Sequence, residues 1–191
     1  MIGSDSTLQT VFEGWDGYQT SLVNAVSPLT TSQLGWRPSD NHRSIGEIAR
    51  HVSLGRLNWF VRMEAPGSSK LAEEISDWDI DDDGTREINE ESVAITEDPA
   101  DLVAWLEKTW TMVGATLAKW QVGDLSSTYH NNWNGATYAV SRQWTIWRIM
   151  AHDIHHGGEI SLMLGMQGLE AFELSALGGH IVLPPLADSH D

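Results

Sequence analysis

Apolar side chains recur at helical spacing in four stretches of this chain, each bounded by residues that start or stop a helix. Over residues 8–26, Leu8, Val11, Phe12, Trp15, Tyr18, Leu22 and Val26 keep the spacing of one helix, and Pro28 ends the run. Ser44-Ile-Gly-Glu47 has the form of a capping box, in which each side chain satisfies the other residue's backbone N–H. It opens a second helix to about Met63, carrying Ile45, Ile48, Val52, Trp59 and Phe60. Asp98-Pro99 supplies an N-cap and a first-turn proline for a third helix, with Leu102, Leu106, Val113, Leu117 and Trp120 on one face. The fourth runs from about Ser141 to Leu164, with Gly165 or Gly168 as its terminator. Before it, residues 129–140 form a small hairpin around Asn134-Gly135.

Four long helices predict an all-α fold, a four-helix bundle with a long crossover between the second and third helices that lets two helices run side by side. No internal repeat or low-complexity linker divides the chain, so residues 1–168 are read as one bundle. Residues 169–191, with Gly178-Gly179, Pro184-Pro185 and the apolar run Ile181 to Leu186, are read as a tail packed on the bundle or at an interface. The ten tryptophans are assigned mainly to the core, with Trp59, Trp144 and Trp147 as alternative lining for a substrate pocket.

Charge changes the picture in one place. The net charge is −16, and residues 64–98 hold 13 acids against two bases. This segment is expected to be a solvated, largely irregular excursion with at most a short helical turn, and not needed by the site below. Asp79, Asp81, Asp83, Gly84 and Glu90 match positions one, three, five, six and twelve of a calcium-binding loop. The flanks do not read as the helix pair such a loop requires, so a solvated acidic loop is the expectation. No basic stripe is visible to neutralise phosphates, which argues against nucleic acid as a partner. No segment approaches the roughly 18 apolar residues of a membrane span and the N-terminus lacks a targeting pattern, so a soluble, cytoplasmic protein is expected. The absence of cysteine excludes disulfides, thiolate ligands and a cysteine nucleophile.

The candidate chemistry is carried by histidine. His152 and His156 stand four residues apart on the fourth helix, within about 40° of one another around its axis. His51 lies in the middle of the second. Facing helices of a bundle can bring three such imidazoles onto one cation. Trp144, Trp147, Met150, Ile154, Ile160 and Leu162 surround the pair, so the helix reads as buried nearly all round, and buried imidazoles need hydrogen bonds or a cation. Glu159 lies about 20° from His152 on the other side. It is a candidate fourth ligand, an orienting group or a general base. His155, about 60° off, is read as lining the site rather than ligating. An all-imidazole site suits zinc, nickel, cobalt and copper alike.

These residues resemble a known family. The first helix, then Leu29-Thr-Thr-Ser-Gln-Leu34 and Arg37-Pro38, then Ser44-Ile-Gly-Glu-Ile-Ala-Arg-His51, then His152-x-x-x-His156-Gly-Gly-Glu159, together look like the DinB-like metal-binding four-helix bundles over roughly residues 7–168. The resemblance implies that His51, His152 and His156 bind a divalent metal, usually zinc or nickel in that family. Where its members often carry Arg-Gly-Gln after the last histidine, this chain has Gly157-Gly158-Glu159, losing a base and exchanging an amide for an acid. Relatives include thiol-dependent S-transferases of the bacillithiol type and a mycothiol-dependent maleylpyruvate isomerase. The resemblance therefore implies a small-molecule substrate and a low-molecular-weight thiol as possible cofactor.

Two classes of function follow. One is an enzyme whose metal activates a thiol or water for transfer, isomerisation or hydrolysis, with Glu159 or His155 managing protons. The other is a non-catalytic metal-binding or small-molecule-binding protein. A homodimer is expected in either case, because ten tryptophans exceed what one bundle core needs.

Overall fold

A computed structural model describes the chain apart from residues 1, 2, 4, 81, 83, 92, 94, 97, 174–178, 182 and 184–191. Its helices are α1 (Leu8–Val11), α2 (Trp15–Val26), α3 (Thr31–Leu34), α4 (Ile45–Arg62), α5 (Ser68–Ala72), α6 (Pro99–Lys119) and α7 (Arg142–Met166). Its strands are β1 (Trp78–Ile80), β2 (Arg86–Ile88), β3 (Thr128–Trp133) and β4 (Ala136–Ser141). The long helices α2, α4, α6 and α7 form the bundle around a core that includes Leu22, Val52, Phe60, Leu106, Val113, Ile149 and Ile160.

Cross-helix contacts fix the directions. Trp15 meets Trp110 while Gln19, four residues on, bonds the carbonyl of Leu106, so α2 and α6 run opposite ways. His51 meets His156 while Trp59 meets Trp144, so α4 and α7 are also opposed. Trp15 reaches Asp153 and Tyr18 lies against Gly157, further along both helices, which makes α2 parallel to α7. It follows that α4 and α6, which pack on each other, run in parallel, and the connection from 63 to 98 is the crossover that permits it.

The helix ends follow the predicted chemistry. Ser44 and Glu47 make both bonds of the capping box, at 3.2 and 2.7 Å. Asp98 accepts from the N–H of Ala100 ahead of α6, and Ser141 accepts from that of Trp144 at the start of α7. Gly165 lies within α7, and Gly168, at φ +73°, ends it. The N–H of Leu169 bonds the carbonyl of Leu164 and that of Gly168 bonds Gly165, the paired bonds of a Schellman motif. Asn134 and Gly135, at φ +50° and +74°, turn the β3–β4 hairpin where the Asn-Gly signal places it.

The structure departs from the sequence reading at several points. The run over 8–26 is broken into α1 and α2 at Gly14, whose φ of +98° no helix accommodates. The fold is mostly helical but not strictly all-α, since β1–β2 and β3–β4 each form a two-stranded antiparallel sheet. The acidic crossover is more ordered than its charge suggests, because Ile75, Ile88 and Ile95 are buried and anchor α5 and the β1–β2 hairpin onto the bundle. Asp79, first residue of the calcium-loop pattern, sits in β1 opposite Glu87, where a hairpin replaces the helix-flanked loop; Asp81 and Asp83 lie outside the described residues. Finally, α7 is not buried all round: Trp147, Ile154, Leu162 and Met166 are exposed along its outer face, and of the ten tryptophans Trp15, Trp59 and Trp120 are buried.

Among the described residues no helix is long and apolar enough to cross a membrane. The described part of the tail touches the bundle: Ser161 donates to the carbonyl of Phe172 at 2.8 Å, and the His180 ring lies 4.6 Å from that of Tyr18. Gly178, Pro184, Pro185, Leu186 and His190 lie outside the described residues.

Candidate metal centre

The antiparallel pairing of α4 with α7 brings His51 opposite both His152 and His156, with ring centroids 4.8 Å from each and 4.4 Å between the α7 pair. One nitrogen from each ring lies within 4.8 Å of the others. The Nε2 atoms of His51 and His152 are 3.0 Å apart. Ligands about 2.0–2.1 Å from a single cation stand roughly 3–3.4 Å from one another, so the His51–His152 pair stands at a distance that a shared cation could span and that a hydrogen bond between the rings also spans.

The opposite edges of two rings are held by carboxylates. Nδ1 of His51 is 2.6 Å from Oε1 of Glu90, and Nδ1 of His156 is 2.7 Å from Oε2 of Glu159. A carboxylate at Nδ1 accepts a hydrogen bond from the N–H there and leaves the Nε2 lone pair bare, the arrangement in which a metal-binding histidine is oriented and made more basic. Burial pushes His152 down to about 3, with His156, His51, Arg148 and Arg56 adding to the effect. Burial also lowers His156, opposed by Glu159. Uncharged imidazoles at neutral pH are what a cation requires. Nδ1 of His152 is buried and has no hydrogen-bond partner among the described residues. Two bare lone pairs turned toward a third ring make a half-buried, electron-rich cluster, and the donor set fits a divalent ion.

The three histidines that spacing singles out lie together, and the crossover, expected to stand apart from them, reaches the cluster. Glu90 belongs to the acidic segment and reaches back to His51, so that segment contributes to the site. Glu159 bonds His156 and approaches Nε2 of His155 at 3.5 Å, so it stands behind the His156 ring and forms with His155 and His156 a second, more exposed group whose donor atoms lie within 4.8 Å of one another. His155 faces solvent, its side chain 68 % exposed. Replacing Glu90 with glutamine removes the acceptor charge behind His51 and is expected to lower metal affinity about tenfold or more. Competition with a chromophoric chelator measures it.

Beneath the histidines lies a polar layer that patterning does not reveal. The Arg56 guanidinium and Asp153 carboxylate are both fully buried and paired through Nη2 at 2.7 Å and Nε at 3.0 Å. The indole of Trp15 donates to the same carboxylate at 2.9 Å, and Gln19 accepts from Arg56 at 2.7 Å and donates to the carbonyl of Leu106. Burial raises the Asp153 pKa while Arg56 and Trp15 hold it down. One residue from His152 and three from His156, Asp153 ties the metal-facing turn of α7 to α2, α4 and α6. Arg56 offers one signal in sequence, a lone charge among Val52, Leu54 and Leu57.

Gly55 explains how His152 fits. A Cβ built on it would stand 3.0 Å from Cε1 of the His152 ring, closer than side chains normally approach. Gly55→Ala should displace that ring and cost about tenfold in metal affinity, comparable to losing a ligand's support. Elemental analysis after dialysis against a weak chelator checks this, and unchanged retention would show that the ring has room.

The sequence profile of the DinB superfamily matches residues 15–160. No curated protein matches the chain significantly. Among solved structures, a DinB-like protein from Bacillus cereus is similar at a TM-score of 0.64 and 15% identity, covering 88% of this chain and 98% of its own. A conserved protein from Enterococcus faecalis reaches 0.61 at 15% identity, over 83% and 95% of the two chains. A DinB-like protein from Bacillus subtilis reaches 0.55 at 12%, over 89% and 99%. At such identities the structural likeness speaks for the fold, and the profile match, which spans most of the chain and includes His51, His152 and His156, speaks for descent: this chain belongs to the DinB superfamily.

Proposed function

We propose that the protein is a divalent-metal-dependent enzyme acting on a small molecule, with zinc or nickel held by His51, His152 and His156. The observation that carries this reading is the convergence of three imidazoles whose outer nitrogens are supported by Glu90 and Glu159. A divalent ion with three protein ligands keeps a position open and lowers the pKa of a thiol or water placed there. The chain's own residues do the rest. Glu90 and Glu159 hold two rings in the ligating tautomer, Gly55 gives the third its room, and the Arg56–Asp153 layer fixes the helix turn that presents the α7 pair. Glu159, half exposed and shared between His155 and His156, can pass a proton to solvent through His155. A chain without cysteine takes its thiol, where one is used, from outside.

Metal content by elemental analysis, followed by turnover of 1-chloro-2,4-dinitrobenzene with mycothiol, bacillithiol or glutathione, tests the reading. Metal-dependent conjugation supports it. Stoichiometric metal with no turnover, and no thiol-induced change in the absorption of cobalt-substituted protein, would favour a non-catalytic metal-binding protein.

The proposal extends to assembly as a homodimer through the outer face of α7. Trp147, Ile154, Leu162 and Met166 are exposed there, and Ala151, Gly158 and Gly165 recur at seven-residue intervals, with open space around a Cβ at either glycine. Such a face is complementary to its own copy about a two-fold axis, because small residues let two helices approach while the large ones flank them. Light scattering at low micromolar concentration should give twice the chain mass, and a mass near 21.2 kDa would overturn the dimer.

A further inference from the structure

We propose that the tryptophan–arginine cluster one helical turn from the histidines is a binding site for the carboxylate end of a flat organic anion. It rests on the metal reading only for what the other end of that ligand would meet. Arg148 precedes His152 by four residues on α7, about 6 Å along the same face. Its guanidinium carbon lies 4.8 Å from the ring centre of Trp59 and 5.4 Å from that of Trp144. Trp59, Trp133 and Trp144 pack in a triangle with ring centres 5.7–5.8 Å apart, and Tyr138 extends it at 5.6 Å from Trp133.

Two arginines flank the buried Trp59 ring, and they differ in how they are satisfied. Arg62, at 4.6 Å, bonds the Glu87 carboxylate at 2.8 Å, Asn131 at 3.0 Å and the Arg86 carbonyl at 3.2 Å. Arg148, exposed on α7, has no carboxylate and no hydrogen-bond acceptor among the described residues, so its N–H donors are left to solvent or a ligand although the chain carries a net charge of −16. An arginine held beside aromatic rings spends none of its N–H donors on them, and a carboxylate meets those donors two at a time. Beside it Trp144 is 40 % exposed, and Tyr138 is 47 % exposed, leaving aromatic surface for a planar body to lie on. The cation selects the anion, the rings select its shape, and the place of Arg148 one turn before His152 puts the other end of the ligand within reach of the histidines.

Calorimetric titration of zinc-treated protein with 2-naphthoate and with its neutral analogue 2-naphthamide tests the site. The acid should bind about tenfold or more tightly than the amide in the wild type, and Arg148→Gln should reduce that preference to about twofold or less, as expected for a lost charge-assisted pair. Arg148→Lys, which keeps the charge without the fork, should fall between, with zinc content the same in all three. Trp144→Ala should weaken both probes together. Equal affinity for acid and amide in the wild type overturns the proposal, as does a preference that survives Arg148→Gln. A surviving preference that disappears on removing zinc would place the carboxylate on the metal, supporting the metal reading and rejecting this site. A protein that takes up no zinc but loses its acid preference in Arg148→Gln would do the reverse.

Discussion

Asp153→Ala should destabilise the fold by about 3–5 kcal/mol, the largest effect expected of any single substitution in this chain. Removing the carboxylate leaves the Arg56 guanidinium fully buried, with Gln19 and the Leu106 carbonyl as its remaining acceptors, and deprives the Trp15 indole of its partner. An uncompensated buried charge costs far more than the net gain from the intact pair, since that gain is largely cancelled by the cost of dehydrating both ions. Urea denaturation measures the loss. Because all four bundle helices meet in this layer, the loss should appear as one cooperative transition at lower denaturant, with an unchanged slope. Replacing both partners together, Arg56→Met with Asp153→Leu, should recover most of the stability, because neither charge is then stranded. A double variant as unstable as Asp153→Ala would show that the layer acts through its geometry rather than through its charge balance.

The legible and illegible parts of this fold divide along a physical line. Capping residues, the Asn134-Gly135 turn and the spacing of His152 and His156 are local, and local chemistry within a few residues decides them. The core faces of α4 and α6 follow for the same reason. What the sequence hides is contact across distance. Nothing in the acidic run says that Glu90 folds back 39 residues to His51, because a glutamate among many reads as one more solvated charge. Burial of Ile75, Ile88 and Ile95, three isolated apolar residues without a common period, orders that crossover and brings Glu90 to its place. The Arg56–Asp153 pair joins residues 97 apart, and its two halves look ordinary separately. The outer face of α7 misleads in the opposite sense: Trp147, Ile154 and Leu162 make the helix look interior by composition, while the bundle leaves them outside. Periodicity identifies a face that wants cover without saying what covers it.

Replacing His51 and His156 together with alanine should abolish stoichiometric divalent-metal uptake and lower thermal stability of the metal-treated protein. The two residues supply one ligand from each of the paired helices, so their loss leaves His152 as the only imidazole of the site, with its Nδ1 already lacking a partner. One neutral imidazole binds a divalent ion too weakly to survive dialysis, and whatever folding free energy the ion contributed in the wild type goes with it. The sign in metal-free protein is informative as well. Burial disfavours the charged form of both His152 and His156. Removing imidazoles from a crowded polar cluster should therefore cost much less without metal than with it, and the two melting-temperature differences separate ligation from packing. His42 and His130, both exposed, serve as controls whose replacement by alanine should leave metal content unchanged. His180 is a poorer control, because its ring packs on Tyr18 and Phe172. Full metal content persisting in the His51→Ala, His156→Ala variant would show that the ion, if bound, sits elsewhere. The three-histidine centre would then be a buried polar cluster satisfied by Glu90 and Glu159 alone.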